Sequence, residues 1–263
     1  MFYNIKHEGV SFLPIIQSVD RALQILDLFD DYNKELKITE ISLRLGLHKS
    51  TVHSLLKTLQ LHGYIEQDEH GLYKLGMKLL EKGQLMLRGL DIREVANVYL
   101  SRLSEETGQT VHLVIRDGSE GVYIDKVEGS KAAIRYSWIG RRVPLHSSAV
   151  GKILAAYMPV NERVKLLENY QYSIHTSHTI NNADDFGIEL QQVIERGVAY
   201  DREENEIGVR CIAAPIYDHS GRVIAAISLS TLITTVNDEE LEALLLRLSE
   251  TSKYISTGLG YRP

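Results

Sequence analysis

Two stretches of this chain hold residues whose types and spacing point to chemistry. Between Glu40 and Glu66 there is no acidic residue, while Arg44, Lys49 and Lys57 alternate with His48, His53 and His62. Cations without carboxylates make a local positive face, the kind of surface that phosphates select. The second stretch is a set of segments in the C-terminal half. In 225–231 the two-residue period of a strand puts Ile227 and Leu229 on one face and Ala226, Ser228 and Ser230 on the other. A face of small and hydroxyl residues either lines a cavity or meets solvent. Upstream, Pro144-Leu145-His146-Ser147-Ser148 leads into a helix starting near Ala149-Val150-Gly151-Lys152. Free N–H groups and the helix dipole there favour an anion such as a carboxylate, although a serine N-cap is also an ordinary helix start. The run Asp201-Arg202-Glu203-Glu204-Asn205-Glu206 is dense in charge and reads as a solvated loop.

Two other chemistries compete for these residues. Cys211 with His146 as base would make a nucleophilic enzyme acting on a small acid. Cys211 sits in the strand pattern RCIAAPIY, however, where a free thiol acts as a small buried hydrophobe, and no catalytic role is expected. A metal-responsive regulator would use His175 and His178, or His112, His146 and Cys211 brought together. The polar context YSIHTSHTINN reads instead as loop, so no metal and no cofactor are expected. A single cysteine excludes a disulfide framework and a cysteine zinc cluster.

Composition sets the frame. The 263 residues, 44% hydrophobic and 24% charged, fit one large or two unequal globular domains. A net charge of −6 argues against a protein that coats nucleic acid or anionic membrane, but leaves room for a small basic face. The uncharged stretch 223–237 is too short and too rich in Ser and Thr to span a bilayer. MFYNIKHEGVSF lacks a basic segment followed by an apolar one, so no signal peptide is expected. A cytoplasmic protein without a membrane partner is the expectation.

The positive window needs helices to position it. Ser18 reads as the N-cap of an amphipathic helix carrying Val19, Ala22, Leu23, Leu26 and Phe29, broken by DDYNKEL. A second helix is predicted from an N-cap at Thr39, burying Ile41, Leu43 and Leu45 and stopping at Gly46. A third begins near 48–50, turns Val52, Leu55, Leu56 and Leu59 inward and ends before Gly63. Two such helices joined by a tight glycine turn form a helix-turn-helix. Short strands at 64–65 and 72–75, turned at His70-Gly71, add a wing. The third helix would then present Lys49, Ser50, Thr51, His53, Ser54 and Lys57 to a DNA major groove. The lysines would mostly meet phosphates, and Thr51, His53 and Ser54 base edges. A helix over 77–90, closed by Gly89, connects to the second domain.

That domain is predicted as α+β, an antiparallel sheet with packed helices. A first helix capped by Asp91 buries Ile92, Val95, Ala96, Tyr99, Leu100 and Leu103 and ends at Gly108. Strands are expected at 110–116, 121–127, 134–138, 210–217 and 222–231, and helices at 149–158, 161–168, 184–196 and 238–258.

These segments together resemble the IclR family of bacterial transcriptional regulators, from about residue 15 to 260. QSVDRALQILDLF and ITEISLRLGLHKSTVHSLLKTLQLHGYI resemble its winged helix-turn-helix. GRRVPLHSSAVGKILAAY resembles its effector-domain motif. GVAYDREENEIGVRCIAAPIYDHSGRVIAAISLS matches its signature through Asp201, Glu204, Cys211, Ile212, Ala213, Ile216, Tyr217 and Asp218. The resemblance implies a winged helix-turn-helix over 15–76, a linker helix over 77–90 and a GAF-like effector domain over 91–260. It implies a repressor of a catabolic operon that binds double-stranded operator DNA as a homodimer or a dimer of dimers. The effector would be a small organic acid, sugar acid or aromatic acid. By the family's pattern, polar contacts fall on Asp201, Cys211, Ser228 and Ser230, backbone contacts on Ala149 and Val150, and walls near Arg135, Val143 and Val209. Arg135 departs from the usual apolar wall: a charged residue there either recognises a carboxylate or points to solvent. Ser54 and His48 depart from residues common in the family's third helix, so an operator sequence does not transfer.

Overall fold

The positive window folds as two helices around a tight corner. Helix α2 (Ile38–Leu45) ends where Gly46 takes the left-handed conformation, φ 64°, which an L side chain resists. The chain then enters α3 (Lys49–Leu61). Ser42 Oγ locks the corner by donating to the Leu47 carbonyl at 2.5 Å. Helix α1 (Gln17–Leu26) precedes them, and β2 (Ile65–Gln67), β3 (Leu72–Leu75) and helix α4 (Met77–Arg88) follow. These elements are described in a computed structural model covering residues 15–30, 32–88, 91–131 and 137–262. They belong to the first of two units, Met1–Gly89 and Leu90–Pro263. The first unit is a winged helix-turn-helix with a core of Ile25, Leu36, Ile41, Val52, Leu56, Ile65 and Tyr73.

Four details differ from expectation. Ser18 is not an N-cap: α1 starts at Gln17 after Ile16, with no side-chain cap. Thr39 is not one either. Leu36 and Lys37 form a strand, β1, paired to Tyr73 and Leu72 of β3, so the wing has three strands in the order β1-β3-β2. The helix follows that strand directly, and Glu40 accepts the Lys37 backbone N–H at 2.7 Å. Leu43 is exposed rather than buried. Val19 and Leu23 are also exposed, beside Ile15 and Ile16, so this part of the predicted stripe does not serve the unit's own core, while Ile25 lies in that core and Leu26 and Phe29 pack against it.

In the second unit, α5 (Asp91–Thr107) leads into β4 (Thr110–Asp117), β5 (Glu120–Val127) and β6 (Arg142–Pro144). Helices α6 (Ala149–Ala156), α7 (Val160–Glu168) and α8 (Ala183–Arg196) follow. Strands β7 (Ala199–Arg202), β8 (Val209–Tyr217) and β9 (Val223–Leu232) then precede α9 (Asp238–Gly258). All six strands pair antiparallel in the order β6-β5-β4-β9-β8-β7. One face packs Val111, Leu113, Ile212, Ile227 and Leu229 against Leu100 and Leu103 of α5 and Leu248 and Ile255 of α9. The other packs Val114, Ala213 and Ala226 against α6 and against Phe186, Leu190 and Val193 of α8. The alternation in β9 thus holds, but neither side faces water, because Ser228 and Ser230 are buried as well.

The charge-dense run is not a solvated loop. Its first residues form the edge strand β7, and Asp201 and Glu204 are buried, 3% and 7% exposed. The strand expected at 134–138 falls mainly on residues outside those described, and Ser137 and Trp138 belong to no strand. The strand beside β5 is Arg142–Pro144 instead. Gly89, expected to close α4, also lies outside the described residues.

Candidate functional site

The outer face of α3 is built by elimination. Val52 and Leu56 point into the core, so the intervening positions face outward. Lys49, Ser50, His53, Ser54 and Lys57 are exposed and Thr51 is half-buried, on a helix about 20 Å long. The corner at Gly46 places this face as one continuous surface with both lysines on it. Ser54 Oγ already donates to the Ser50 carbonyl at 3.1 Å, which leaves the hydroxyl mainly an acceptor.

A second constellation lies on the α6 side of the six-stranded sheet, where cross-strand register sets residues side by side. Asp201 pairs with Cys211, Cys211 with Ser230, and Ser230 with Thr110. One step along, Ser228 pairs with His112. Cys211 Sγ and Ser230 Oγ are 3.2 Å apart, Ser230 Oγ and His112 Nδ1 3.5 Å, and His112 Nε2 and Ser137 Oγ 2.8 Å. The Tyr123 ring lies against the His112 ring at 4.9 Å. The hydroxyl of Thr110 is buried without a hydrogen-bond partner among the described residues.

Burial sets the protonation states. It draws the His112 pKa down to about 3, aided by the charges of Lys126 and Arg141, so the ring is neutral. It pushes the Cys211 thiol and the Tyr123 phenol upward, with the Asp201 charge adding to both. It raises Asp201 to about 7, where Glu204 adds repulsion while Lys152 and the N–H groups of Glu204 and Asn205 oppose the rise. The sheet face is therefore lined by uncharged donors and acceptors, with one carboxyl poised near neutrality. Two-dimensional NMR of the imidazole nitrogens should show His112 neutral from pH 5 to 8, about two units or more above its pKa. A titration midpoint near 6.5 would mean that this sheet face is wet.

Helix α6 supplies the opposite side. Ser148 caps it, accepting the Gly151 N–H at 3.1 Å and donating to the Pro144 carbonyl at 2.6 Å. Among the described residues, the Ala149 and Val150 amides have no acceptor. Gly151 is required here: a Cβ would stand 2.3 Å from the Pro144 carbonyl oxygen and 2.6 Å from Leu145 Cα. Gly151→Ala should therefore destabilise the second unit by about 1–3 kcal/mol, read as a fall of several degrees in Tm. An unchanged Tm would show that the 144–148 segment yields freely.

Of the predicted effector contacts, Asp201, Cys211 and Ser230 share this sheet face, with Ser228 one step away. Val143 and Val209 are buried, Val143 among the apolar residues on α6's side of the sheet. Arg135 lies outside the described residues. Sequence reading missed Thr110, Tyr123 and Ser137, and weighed His112 only as a metal ligand. The signal for two of them was present, since Thr110 and His112 alternate with Val111 and Leu113 as Ser230 and Ser228 do with Leu229 and Ile227.

The residues weighed for the competing chemistries have other partners. The ring nitrogens of His146 lie 3.0 Å from Tyr170 OH and 2.9 Å from the Ser173 carbonyl. Cys211 instead pairs with Ser230, and burial disfavours its thiolate. His175 stacks on His146, and among the described residues no group of three His, Cys, Asp or Glu stands where it could hold a metal ion. No helix among the described residues is long and apolar enough to cross a membrane.

Both units match known protein families. The IclR helix-turn-helix domain model matches residues 18–69, and the model for the C-terminal domain of bacterial IclR transcriptional regulators matches 84–257. The HTH-type transcriptional regulator XynR of Escherichia coli K12 is 54% identical over 250 residues, 95% of this chain and 99% of that protein. KdgR of the same organism, also an HTH-type transcriptional regulator, is 36% identical over 94% of each chain. The crystal structure of the Thermotoga maritima IclR superimposes with a TM-score of 0.78 at 34% identity, covering 94% of this chain and all of that one.

Proposed function

The chain belongs to the IclR family of bacterial transcriptional regulators, and from that premise we propose that it is a cytoplasmic repressor of a catabolic operon, released from its operator by a small carboxylic acid. Lys49 and Lys57 engage operator phosphates, while Thr51, His53 and Ser54 read base edges. Ser50 lies at the start of the same face. The acid sits between the first turn of α6 and the sheet face, its carboxylate on the Ala149 and Val150 amides. Asp201, Cys211, Ser228 and Ser230 hold its polar groups, with Val143 and Val209 as walls.

The observation that carries the effector reading is a largely buried sheet face of neutral hydroxyl, thiol and imidazole groups, on the side where α6 packs, together with the first two amides of α6, which have no acceptor among the described residues. These groups pair with one another, except that the Thr110 hydroxyl has no partner among the described residues, and such a buried unpaired group costs about 1–3 kcal/mol. A bound acid that reaches it satisfies it. The test is Trp138 fluorescence and thermal shift against pyruvate, D-gluconate and 4-hydroxybenzoate, one each from the keto, sugar and aromatic acids. Binding at a hundredfold excess over Kd should stabilise the chain by about 2.7 kcal/mol. Ser228→Ala should weaken a hit. Silence across a wider panel of the three classes would overturn the reading.

The exposed apolar stripe of α1, with Met77, Leu80 and Leu85 exposed on α4, supports a homodimer through the first unit, with pairing into tetramers as a further step. A dimer holds two recognition helices over a palindromic operator. Helix α4 (Met77–Arg88) lies between the winged domain and the effector domain over 91–260 in the chain and carries the change between them. The acid acts only through its different affinities for the DNA-bound and free arrangements. Val19→Glu with Leu23→Glu should give monomers in sedimentation velocity that no longer hold a two-half-site operator. A variant that stays dimeric would place the interface elsewhere.

A further inference from the structure

Lys152 is 1% exposed, and none of the roles above uses its charge. Its ammonium donates to the Tyr200 carbonyl at 2.8 Å and to Glu204 Oε1 at 2.7 Å, and lies 3.5 Å from Glu189 of α8, itself paired to Arg196. Tyr200 immediately precedes Asp201. Glu204 follows it by one turn and gives its own backbone N–H to Asp201 Oδ1 at 2.8 Å. The Arg202 N–H reaches Glu204 Oε1 at 3.3 Å. The segment between is strained and pinned: Glu203 has φ 63°, and Thr176 and Thr179 donate to the Glu203 and Glu204 carbonyls at 2.7 and 2.6 Å.

We infer that the buried Lys152–Glu204 pair is a positioning device, which fixes the span between the α6 amides and the Asp201 carboxyl and thereby sets the geometry of the effector site. This rests on the effector reading above. Two physical points support it. A buried ion pair is a poor source of stability, and Glu204 Oε2 is buried with no partner among the described residues, so an apolar pair would hold this junction at lower cost. The lysine also sits one turn beyond Ala149 and Val150 on the same helix. It therefore ties the two sides of the site together without entering it.

The test uses the full chain and its single thiol, Cys211, which lies beside Asp201 in register. The rate of its alkylation by iodoacetamide reports how well the Asp201 strand is held. Lys152→Met should raise that rate about tenfold, as local opening becomes easier. Glu204→Gln, which keeps an acceptor for Lys152, should raise it less and serves where the first variant fails to fold. In an Asp201→Asn background either change should add less than about twofold, because both act through Asp201. Additive increases in the two backgrounds would mean general loosening and would overturn the assignment, as would unchanged rates in both variants. Protection of Cys211 by D-gluconate, pyruvate or 4-hydroxybenzoate is scored separately. Coupling to Asp201 without protection by any acid keeps the positioning role and overturns the effector reading instead.

Discussion

Replacing Lys49 and Lys57 together by alanine should lower operator affinity about a thousandfold at 0.15 M salt. Both lysines are exposed on the outer face of α3, in a window without a carboxylate to compensate them. Each phosphate contact releases condensed counterions and contributes about 0.9 to the slope of log affinity against log salt. A dimer loses two contacts per protomer, so the slope should become shallower by about 3 to 4. The loss should be uniform across operator sequences, since phosphates carry no sequence information. His53→Ala should behave differently, with the slope kept and about 1–3 kcal/mol lost at one base position of each half-site. Quantitative binding assays from 50 to 300 mM salt separate the two patterns. A sequence-selective loss with an unchanged slope would transfer the lysines to base readout.

The second large effect is a pH dependence of acid binding. Asp201 is buried beside the place assigned to an anion, and its pKa stands at about 7. Below that value the carboxyl is neutral and can donate to a polar group of the bound acid. Above it the two negative charges repel in a site shielded from water. Affinity for the acid should thus fall by up to about tenfold per pH unit above 7, and Asp201→Asn should abolish the slope while keeping an acceptor for the Glu204 N–H. Stability carries the same sign. The folded state keeps its proton up to about 7, whereas an unfolded aspartate releases it near 3.8. Over that window the folded chain binds more protons, so this group's contribution to stability falls as pH rises and levels off above 7. Calorimetric titration of an acid from pH 6 to 9 reads the slope directly. A flat profile in the parent chain would remove Asp201 from the site.

The winged half was legible because its determinants are local. Helical periodicity, the glycine corner and the absence of acids can each be read within a few turns of chain. What escaped reading was non-local: β1 is two residues long and exists only through β3. Val19 and Leu23 carry helical periodicity yet stay exposed, because periodicity marks an apolar face without naming its partner.

The effector half was legible where alternation is strong, as in β9, and where a cap sets a helix start, as at Ser148. It was illegible where charge outweighed pattern. Asp201 and Glu204 stand in a run of charges, and the hidden ammonium of Lys152 that compensates the buried Glu204 is 52 residues away. Ser137 joins the site through His112, 25 residues distant, a pairing that no local window contains.

The central claim is that acid binding in one domain changes DNA binding by the other. It is tested most directly by fluorescence anisotropy on an operator selected from random DNA, titrated with the acid that stabilises the chain. The operator should be palindromic and bound by a dimer, with affinity falling about tenfold or more at saturating acid, a coupling of roughly 1.4 kcal/mol or greater. An acid that binds tightly yet leaves operator affinity unchanged would contradict it.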